Sequence, residues 1–204
     1  MTAIVDYGVG NLFSLRSSFD AIGVEAVVTS DPAVIEAAER VVLPGVGAFR
    51  DAAEKLRTTG LWDVVKNEAA KGKPLLGICL GMQMLLEKSY EFGEYDGLGL
   101  IPGSVVPLEG YVPKGLKIPQ MGWNALEFKN PSGIFKNTKE GEYVYFVHSY
   151  YCDCPEEYVT AVTDYGASVT ASVRRDNVYG CQFHPEKSGD VGLAILRAFS
   201  EVKE

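Results

Sequence analysis

The chain has 204 residues, of which 47% are apolar and 23% are charged, a balance typical of globular proteins rather than collagen-like, coiled-coil or disordered chains. Nineteen Lys and Arg against 27 Asp and Glu give a formal net charge of −8, and no basic cluster is present that could bind phosphates. The longest charge-free stretch has 13 residues, from Pro74 to Leu86, whereas a membrane-spanning helix needs about 18. We therefore expect neither a nucleic acid nor a membrane as partner.

The cysteines, the histidines and the N-terminus bear on metal binding and on the cell compartment. Four cysteines, at positions 79, 152, 154 and 181, form no C-x-x-C pair, and the chain has two histidines, His148 and His184. This pattern disfavours a zinc site. No basic and apolar leader follows Met1, so we expect a cytoplasmic protein with reduced thiols and no bound metal.

The first half of the chain alternates strand and helix patterns. The first helix has apolar residues on one face and Asn11 in the position of an N-cap. In chain order the patterns predict a strand over residues 2–5, a helix after residue 11, a strand over 24–28, a short helix from 31, a strand over 41–43, helices over 48–57 and 61–71, a strand over 75–78 and a helix over 80–88. Such alternation implies a parallel sheet with right-handed crossovers.

The second half is rich in glycine and proline between short apolar runs. These runs predict strands over residues 104–108, 125–128, 143–147, 158–163, 168–173 and 178–183, followed by an amphipathic helix over 191–202. We find no repeat and no linker. The sequence therefore predicts an α/β fold in one domain over residues 1–204, with a mixed, largely parallel central sheet flanked by helices and a β-rich second half.

A nucleophile elbow is the strongest chemical signal in the sequence. The segment Gly77-Ile78-Cys79-Leu80-Gly81 lies where the fourth strand turns into a helix, and it matches G-x-S-x-G with a thiol in place of the hydroxyl. A thiol at the N-terminus of a helix gains thiolate character, which is its reactive form. The alternative is a buried structural cysteine. The flanking glycines favour the nucleophile.

A cysteine nucleophile needs a base, and His184 is the better of the two histidines. It follows a predicted strand, and Glu186 stands two residues further on, where an extended chain would place both side chains on the same side. Glu186 could then orient the imidazole. His148 has no acid close by on its own segment, and we interpret it as a histidine whose hydrogen bonds are satisfied at a strand end.

Two glycine-rich turns complete the candidate chemistry. The N–H of Leu80 and the loop Pro44-Gly45-Val46-Gly47, through Val46 and Gly47, could bind an oxyanion. The turn Gly8-Val9-Gly10 lacks the third glycine of a dinucleotide fingerprint, because that position is Phe13, and no phosphate-binding loop motif occurs. We therefore expect no nucleotide cofactor.

Two of these motifs together carry a family resemblance. The segment from Gly77 to Gln83 and the triplet His184-Pro185-Glu186 resemble the class I, triad-type glutamine amidotransferases over nearly the whole chain. The resemblance implies a flavodoxin-like fold. It also implies that a cysteine attacks the side-chain amide of glutamine, which gives a γ-glutamyl thioester and ammonia, and that water then releases glutamate.

Five segments resemble, more narrowly, the glutaminase subunits that deliver ammonia to a separate (β/α)8 cyclase in histidine biosynthesis. They cover residues 6–12, 44–49, 119–124, 145–150 and 184–188. By this resemblance the chain forms a heterodimer with such a cyclase and takes glutamine as substrate.

The same resemblance assigns expected roles to individual positions. Cys79, His184 and Glu186 match the catalytic triad, and Gln83 matches the residue that holds the polar end of glutamine. The positions expected to line the glutamine site, mainly through their backbone, are Gly45, Gly47, Ser149 and Tyr150. The positions expected to face the cyclase are Met121, Trp123, Tyr145 and Lys187.

Other functions stay open at this point. A stand-alone cysteine hydrolase acting on γ-glutamyl or peptide bonds would need no partner, and a glutaminase subunit could also serve another synthase. A third possibility is a non-catalytic regulatory relative in which Cys79 senses oxidants, but this leaves His184 and Glu186 without a role.

Overall fold

In the computed structural model, which describes residues 1–202, helices cover both faces of a central eight-stranded sheet. The helices are α1 (Leu12–Ala21), α2 (Pro32–Ala37), α3 (Phe49–Thr58), α4 (Leu61–Ala70), α5 (Leu80–Met84) and α6 (Gly189–Ser200). The strands are β1 (Thr2–Val5), β2 (Ala26–Thr29), β3 (Arg40–Gly45), β4 (Leu75–Cys79), β5 (Leu86–Ser89), β6 (Tyr95–Asp96), β7 (Ile101–Pro107), β8 (Gln120–Ala125), β9 (Glu127–Phe128), β10 (Tyr143–His148), β11 (Tyr150–Asp153), β12 (Val159–Asp164), β13 (Ser168–Arg175) and β14 (Val178–Cys181).

The central sheet is parallel in one part and antiparallel in the other. Its strand order is β2-β1-β3-β4-β14-β13-β12-β9, and the first five strands run parallel. The last three continue antiparallel. The predicted fold class, an α/β fold with a mixed and largely parallel sheet, is therefore confirmed.

Alternate residues of the parallel strands lie on opposite faces of the sheet and pack into two separate hydrophobic cores. On one face Val5, Leu43 and Leu75 pack with α3 and α4, and on the other Ile4 and Leu76 pack with α1 and α6. Burial on both faces explains why these strands read as continuous apolar runs. This arrangement brings the carboxyl ends of β3, β4 and β14 to one edge of the sheet.

Two smaller sheets complete the fold, and buried residues of the four-stranded one join the core that contains α3 and α4. One has the order β11-β7-β5-β6, and the other is a ribbon of β8 and β10. In the ribbon, side chains alternate: Gln120 and His148 face the core, whereas Met121, Trp123 and Tyr143 are exposed. The ribbon therefore has a solvent-facing surface next to the sheet edge.

The structure corrects several predicted elements. The helix predicted over residues 80–88 ends at Met84, and Leu86–Ser89 is strand β5, paired with β6 and β7. Tertiary pairing here overrides the helix propensity of Leu, Glu and Lys. The strand predicted over 125–128 is not one element, since Ala125 is the last residue of β8, which begins at Gln120, and Glu127–Phe128 is the separate short strand β9. Asn11 occupies the N-cap of α1, but its side chain makes no capping hydrogen bond.

Among residues 1–202, no helix is both long enough and apolar enough to cross a membrane.

Candidate active site

Cys79 lies in a strained turn between β4 and α5. Its backbone has φ 55° and ψ −112°, a conformation that L side chains rarely adopt. Both flanking glycines are required by packing, since a Cβ on Gly81 would lie 1.9 Å from the carbonyl oxygen of Leu43, and one on Gly77 would lie 2.7 Å from that of Gly81. The backbone therefore has the geometry of the predicted nucleophile elbow.

His184 and Glu186 form a hydrogen-bonded pair behind the cysteine. The imidazole Nδ1 lies 2.8 Å from Glu186 Oε1, and both side chains are almost fully buried. The expected contact is present, but the expected reason is wrong. Strand β14 ends at Cys181, and Pro185–Lys187 forms a 3-10 turn rather than an extended segment, so the turn brings the carboxylate back to the ring.

Two opposing effects act on the pKa of His184. Burial lowers the pKa, but the neighbouring Cys79 and the Glu186 carboxylate outweigh burial and raise it to about 9. A raised pKa favours the imidazolium form, in which Nδ1 donates to Glu186. A positive charge next to a thiol favours the thiolate, which is the nucleophilic form of cysteine.

A cavity of about 300 Å³ opens beside the thiol. Its lining residues are Val46, Gly47, Cys79, Leu80, Gln83, Glu91, Pro119, Val147, His148, Ser149, Tyr150 and His184. The cavity thus brings together most of the residues predicted for the site. Glu186 is not part of the lining, because it stands behind His184.

The oxyanion residues predicted from the sequence border this cavity. Leu80 is the first residue of α5, so its N–H has no partner within the helix. Gly47 has φ 91°, and a Cβ there would meet nothing, which means that the backbone conformation alone requires the glycine.

Gly45 does not line the cavity, in contrast to its predicted place in the glutamine site. It ends β3, where a Cβ would lie 2.7 Å from the backbone nitrogen of Gly81. The role of Gly45 is therefore to let β3 approach the elbow. Nearby, the Tyr7 hydroxyl donates to the carbonyl oxygen of Pro44 at 2.6 Å and anchors the same strand end.

Gln83 is held by protein partners on one side of its amide group. Its Nε2 donates to the carbonyl oxygen of Tyr150 and to Oε1 of Gln182, each at 3.0 Å. Both amide hydrogens are used in these two bonds. Gln83 can therefore offer a ligand in the cavity only its oxygen, as an acceptor.

His148 is a neutral, buried histidine at the end of β10. Burial lowers its pKa to about 4, against a smaller upward effect of its bond to Tyr150. Nδ1 lies 2.8 Å from the carbonyl oxygen of Tyr150, which can only accept, so the proton is on Nδ1. The interpretation of His148 as a satisfied histidine is therefore correct for Nδ1 only, because the buried Nε2 has no hydrogen-bond partner within residues 1–202 and the ring lines the cavity.

Sequence reasoning missed two polar residues of the site. Glu91 lines the cavity and its carboxylate accepts a hydrogen bond from the backbone N–H of Phe49 at 2.5 Å. It lies in a turn-rich segment, and no local pattern singles it out. Gln182 is fully buried and contacts the Cys79 sulfur. A long polar side chain between the apolar Cys181 and Phe183 was the available signal.

The four residues predicted to face a partner lie on or beside the solvent-facing surface of the β8–β10 ribbon. Met121 and Trp123 are 63% and 52% exposed. The Trp123 and Tyr145 rings meet edge to face at 6.0 Å, and Lys187 Nζ lies 5.8 Å from the Tyr145 ring centre. Trp123, Tyr145 and Lys187 therefore form one continuous patch.

Within the part of the chain that the structure describes, no three His, Cys, Asp or Glu side chains are grouped so that they could hold a metal ion.

Comparisons with known proteins agree with this geometry. The family model described as glutamine amidotransferase class-I matches residues 3–201. The fold resembles a structure described as a crystal structure of glutamine amidotransferase, with a TM-score of 0.74 at 19% identity, covering 97% of this chain and 98% of the other. At that identity the likeness concerns the fold alone.

Two curated relatives are much more similar in sequence. Both are named imidazole glycerol phosphate synthase subunit HisH, one from Caldanaerobacter subterraneus subsp. tengcongensis and one from Methanothermobacter thermautotrophicus. Each is 50% identical to this chain, and each alignment covers 99% of this chain and 98% of the relative. The chain therefore belongs to the class I glutamine amidotransferase family, among the HisH subunits of imidazole glycerol phosphate synthase.

Proposed function

We propose that Cys79, His184 and Glu186 hydrolyse glutamine as a catalytic triad. The thiolate of Cys79 attacks the carboxamide carbon, and the His184 imidazolium gives its proton to the departing nitrogen, so that ammonia leaves and a γ-glutamyl thioester remains. His184, now neutral, takes a proton from water as it attacks the thioester. Glutamate is released and the thiolate is restored.

Glu186 acts on this cycle through the imidazole. Its bond to Nδ1 keeps Nε2 directed at the reacting atoms and stabilises the imidazolium each time it forms. The backbone N–H of Leu80, together with the Val46–Gly47 loop, stabilises the oxyanion of both tetrahedral intermediates. The observation that carries the proposal is a strained cysteine and a histidine that line one cavity, with Glu186 hydrogen-bonded to that histidine from behind.

The polar groups around the cavity fit the two ends of a glutamine molecule. The Glu91 carboxylate and the free Oε1 of Gln83 are acceptors that suit its α-ammonium group. Backbone groups of Ser149 and Tyr150, at the junction of β10 and β11, suit its α-carboxylate. This places the carboxamide next to Cys79.

The ammonia passes, in this proposal, to a separate (β/α)8 cyclase. That subunit would combine it with a phosphoribulosyl aminoimidazole carboxamide nucleotide to form imidazole glycerol phosphate and an aminoimidazole carboxamide ribotide. The exposed patch of Trp123, Tyr145 and Lys187, with Met121, supports a heterodimer, since aromatic side chains are enriched at interface centres. The proposal keeps the expectations of one domain over residues 1–204, a cytoplasmic location and no cofactor.

The test compares two nitrogen sources in the reconstituted complex. Cys79→Ala should abolish synthesis from glutamine and leave synthesis from added ammonium salt nearly unchanged, because the cysteine acts only in ammonia generation. The matched control is Cys181→Ala, which changes a buried thiol that is not part of the cavity lining. Equal loss of both activities in a folded Cys79→Ala complex would refute the assignment.

A further inference from the structure

We propose that Gln182 is a positioning residue that holds and stabilises the thiolate of Cys79 through its side-chain amide N–H. The inference rests on the proposed role of Cys79 as nucleophile. It adds a hydrogen-bond donor for the sulfur that stands apart from the triad.

The contact lies in a buried chain of hydrogen bonds. Gln182 Nε2 is 3.7 Å from Cys79 Sγ, and Gln182 is fully buried. On its other side, Oε1 of Gln182 accepts from Gln83 at 3.0 Å, and Gln83 in turn donates to the carbonyl oxygen of Tyr150. These hydrogen bonds thus connect the carbonyl oxygen of Tyr150, through the two glutamine amides, to the sulfur of Cys79.

This series of hydrogen bonds determines which end of the Gln182 amide faces the sulfur. A backbone carbonyl can only accept a hydrogen bond, so the nitrogen of Gln83, and not its oxygen, must face Tyr150. That nitrogen also donates to the Gln182 amide, so the Gln182 atom that faces it must be the oxygen, which accepts. The Gln182 nitrogen is then left on the side of Cys79, and a flipped amide would place two donors together at Gln83.

The environment of the sulfur makes this donor specific to the ionised form. The titratable groups that interact with Cys79 are His184, whose imidazole is its charged partner, and the buried Tyr7, Cys152 and Cys181. The carbonyl oxygen of Val147, 4.0 Å from Sγ, can accept from a thiol but offers no donor to a thiolate. The Gln182 N–H has the opposite preference, because a hydrogen bond to a charged acceptor is stronger than one to a neutral acceptor. Gln182 therefore favours the nucleophilic state.

Steric packing alone does not require an amide at this position. The residues on either side of Gln182 in the sequence, Cys181 and Phe183, are both apolar and fully buried. A buried amide without hydrogen-bond partners would be destabilising. The amide of Gln182 is satisfied only because one end meets Gln83 and the other meets the sulfur. Its placement fits a role at the reacting atom.

The experiment measures how fast iodoacetamide alkylates Cys79 as a function of pH, by mass spectrometry of the Cys79 peptide. Gln182→Met keeps the length of the side chain but has no N–H, so the thiolate should form at higher pH. We expect the pH of half-maximal rate to rise by about 1 unit, which is about tenfold slower alkylation at a pH below both midpoints. Circular dichroism checks that the variant folds.

The matched control is Gln120→Met, which makes the same change at another fully buried glutamine whose amide bonds Asn124 and not the sulfur. Its midpoint should stay at the wild-type pH. Gln182→Asn is a second variant in case Gln182→Met does not fold, since it keeps a buried amide one methylene too short to reach Sγ. A wild-type midpoint in whichever Gln182 variant folds, or an equal rise in Gln120→Met, overturns the proposal.

The readout needs neither glutamine nor a partner. A shifted midpoint in a chain that releases no glutamate would separate the role of Gln182 from the proposed glutaminase function. Glutamate release with an unshifted midpoint would keep the glutaminase and reject the role of Gln182.

Discussion

Glu91 accepts a hydrogen bond from the backbone N–H of Phe49 at 2.5 Å, and this bond links the cavity beside Cys79, the proposed glutamine site, to the Val46–Gly47 loop, the proposed oxyanion loop. Phe49 is the first residue of α3, which directly follows the loop that contains Val46 and Gly47. Burial raises the pKa of Glu91, Asp51 raises it further and the Phe49 amide opposes both. One carboxylate thus caps a helix and also lines the cavity.

Glu91→Gln should weaken glutamine binding more than it disturbs the helix. The amide oxygen can still accept from Phe49, but the charge that would meet the α-ammonium group is lost. We expect the KM for glutamine to rise about 10- to 100-fold, the range of a hydrogen bond to a charged group. Steady-state kinetics of glutamate release in the complex measures the change.

Glutaramate, which lacks the α-amino group, is the control substrate for Glu91. Its KM should be the same in wild type and Glu91→Gln. If both substrates lose activity to the same extent, Glu91 acts only through α3 and does not bind the ammonium group.

Replacing the two members of the His–Glu pair should give unequal losses. His184→Ala removes the proton carrier, whereas Glu186→Gln leaves the ring in place with a weaker acceptor on Nδ1. By analogy with other triads we expect the loss in His184→Ala to be about 100 times larger. Single-turnover thioester formation measures it. His148→Asn serves as control, and a greater loss there than in His184→Ala would show that the base was misassigned.

His148 should make the folded state sensitive to acid. Its pKa is about 4 in the fold and about 6.5 when unfolded, so between these values the unfolded chain binds a proton that the native chain excludes. Stability is complete above pH 6.5 and falls toward pH 4, by up to about 3 kcal/mol from this group. His184, whose pKa is raised to about 9, loses its contribution only as pH rises, outside this window.

Urea unfolding of wild type and His148→Asn between pH 7 and pH 4.5 tests this dependence. Because asparagine does not titrate, the free energy of unfolding of the variant should fall less steeply with acid. Parallel curves for the two proteins would mean that His148 is accessible to protons in the fold.

The sequence predicted those parts of the fold and site that depend on local patterns. Strands β1, β3 and β4 follow from short apolar runs, and the elbow follows from two glycines around Cys79. Strand β5 was missed because Leu86–Ser89 is held by pairing with distant strands rather than by its own propensity. Glu91 and Gln182 were missed for the same reason, since their partners Phe49 and Cys79 are 42 and 103 residues away.

Trp123 should be an anchor of the partner interface. Its side chain is half exposed, and its ring packs edge to face on that of Tyr145, with 6.0 Å between the ring centres. A partner could therefore bury the Trp123 ring without reorganising it. We expect Trp123→Ala to weaken binding of the cyclase about 10- to 100-fold. The control is Tyr111→Ala, another exposed aromatic, which stacks on Tyr151 outside this surface. Titration calorimetry would contradict the assignment if both variants bound equally well.

Coupling between the subunits should be visible in the glutaminase rate itself. We expect the chain alone to release glutamate very slowly, and a cyclase with its nucleotide bound to raise the rate at least about 100-fold, since one oxyanion donor contributes about 10²- to 10³-fold. We expect the Val46–Gly47 loop to provide this switch, because Gly47 has φ 91°, a backbone conformation that only glycine adopts readily, and a Cβ built there would meet nothing within 4 Å. Docking on the ribbon would shift the loop only if the cyclase binds its two states with different affinity.

The assay compares glutamate release by the chain alone, with cyclase, and with cyclase plus nucleotide. Trp123→Ala should reach the wild-type stimulated rate only at higher cyclase concentration. If the isolated chain turns over glutamine as fast as the liganded complex, the Val46–Gly47 loop is already in its active state and the cyclase does not control it.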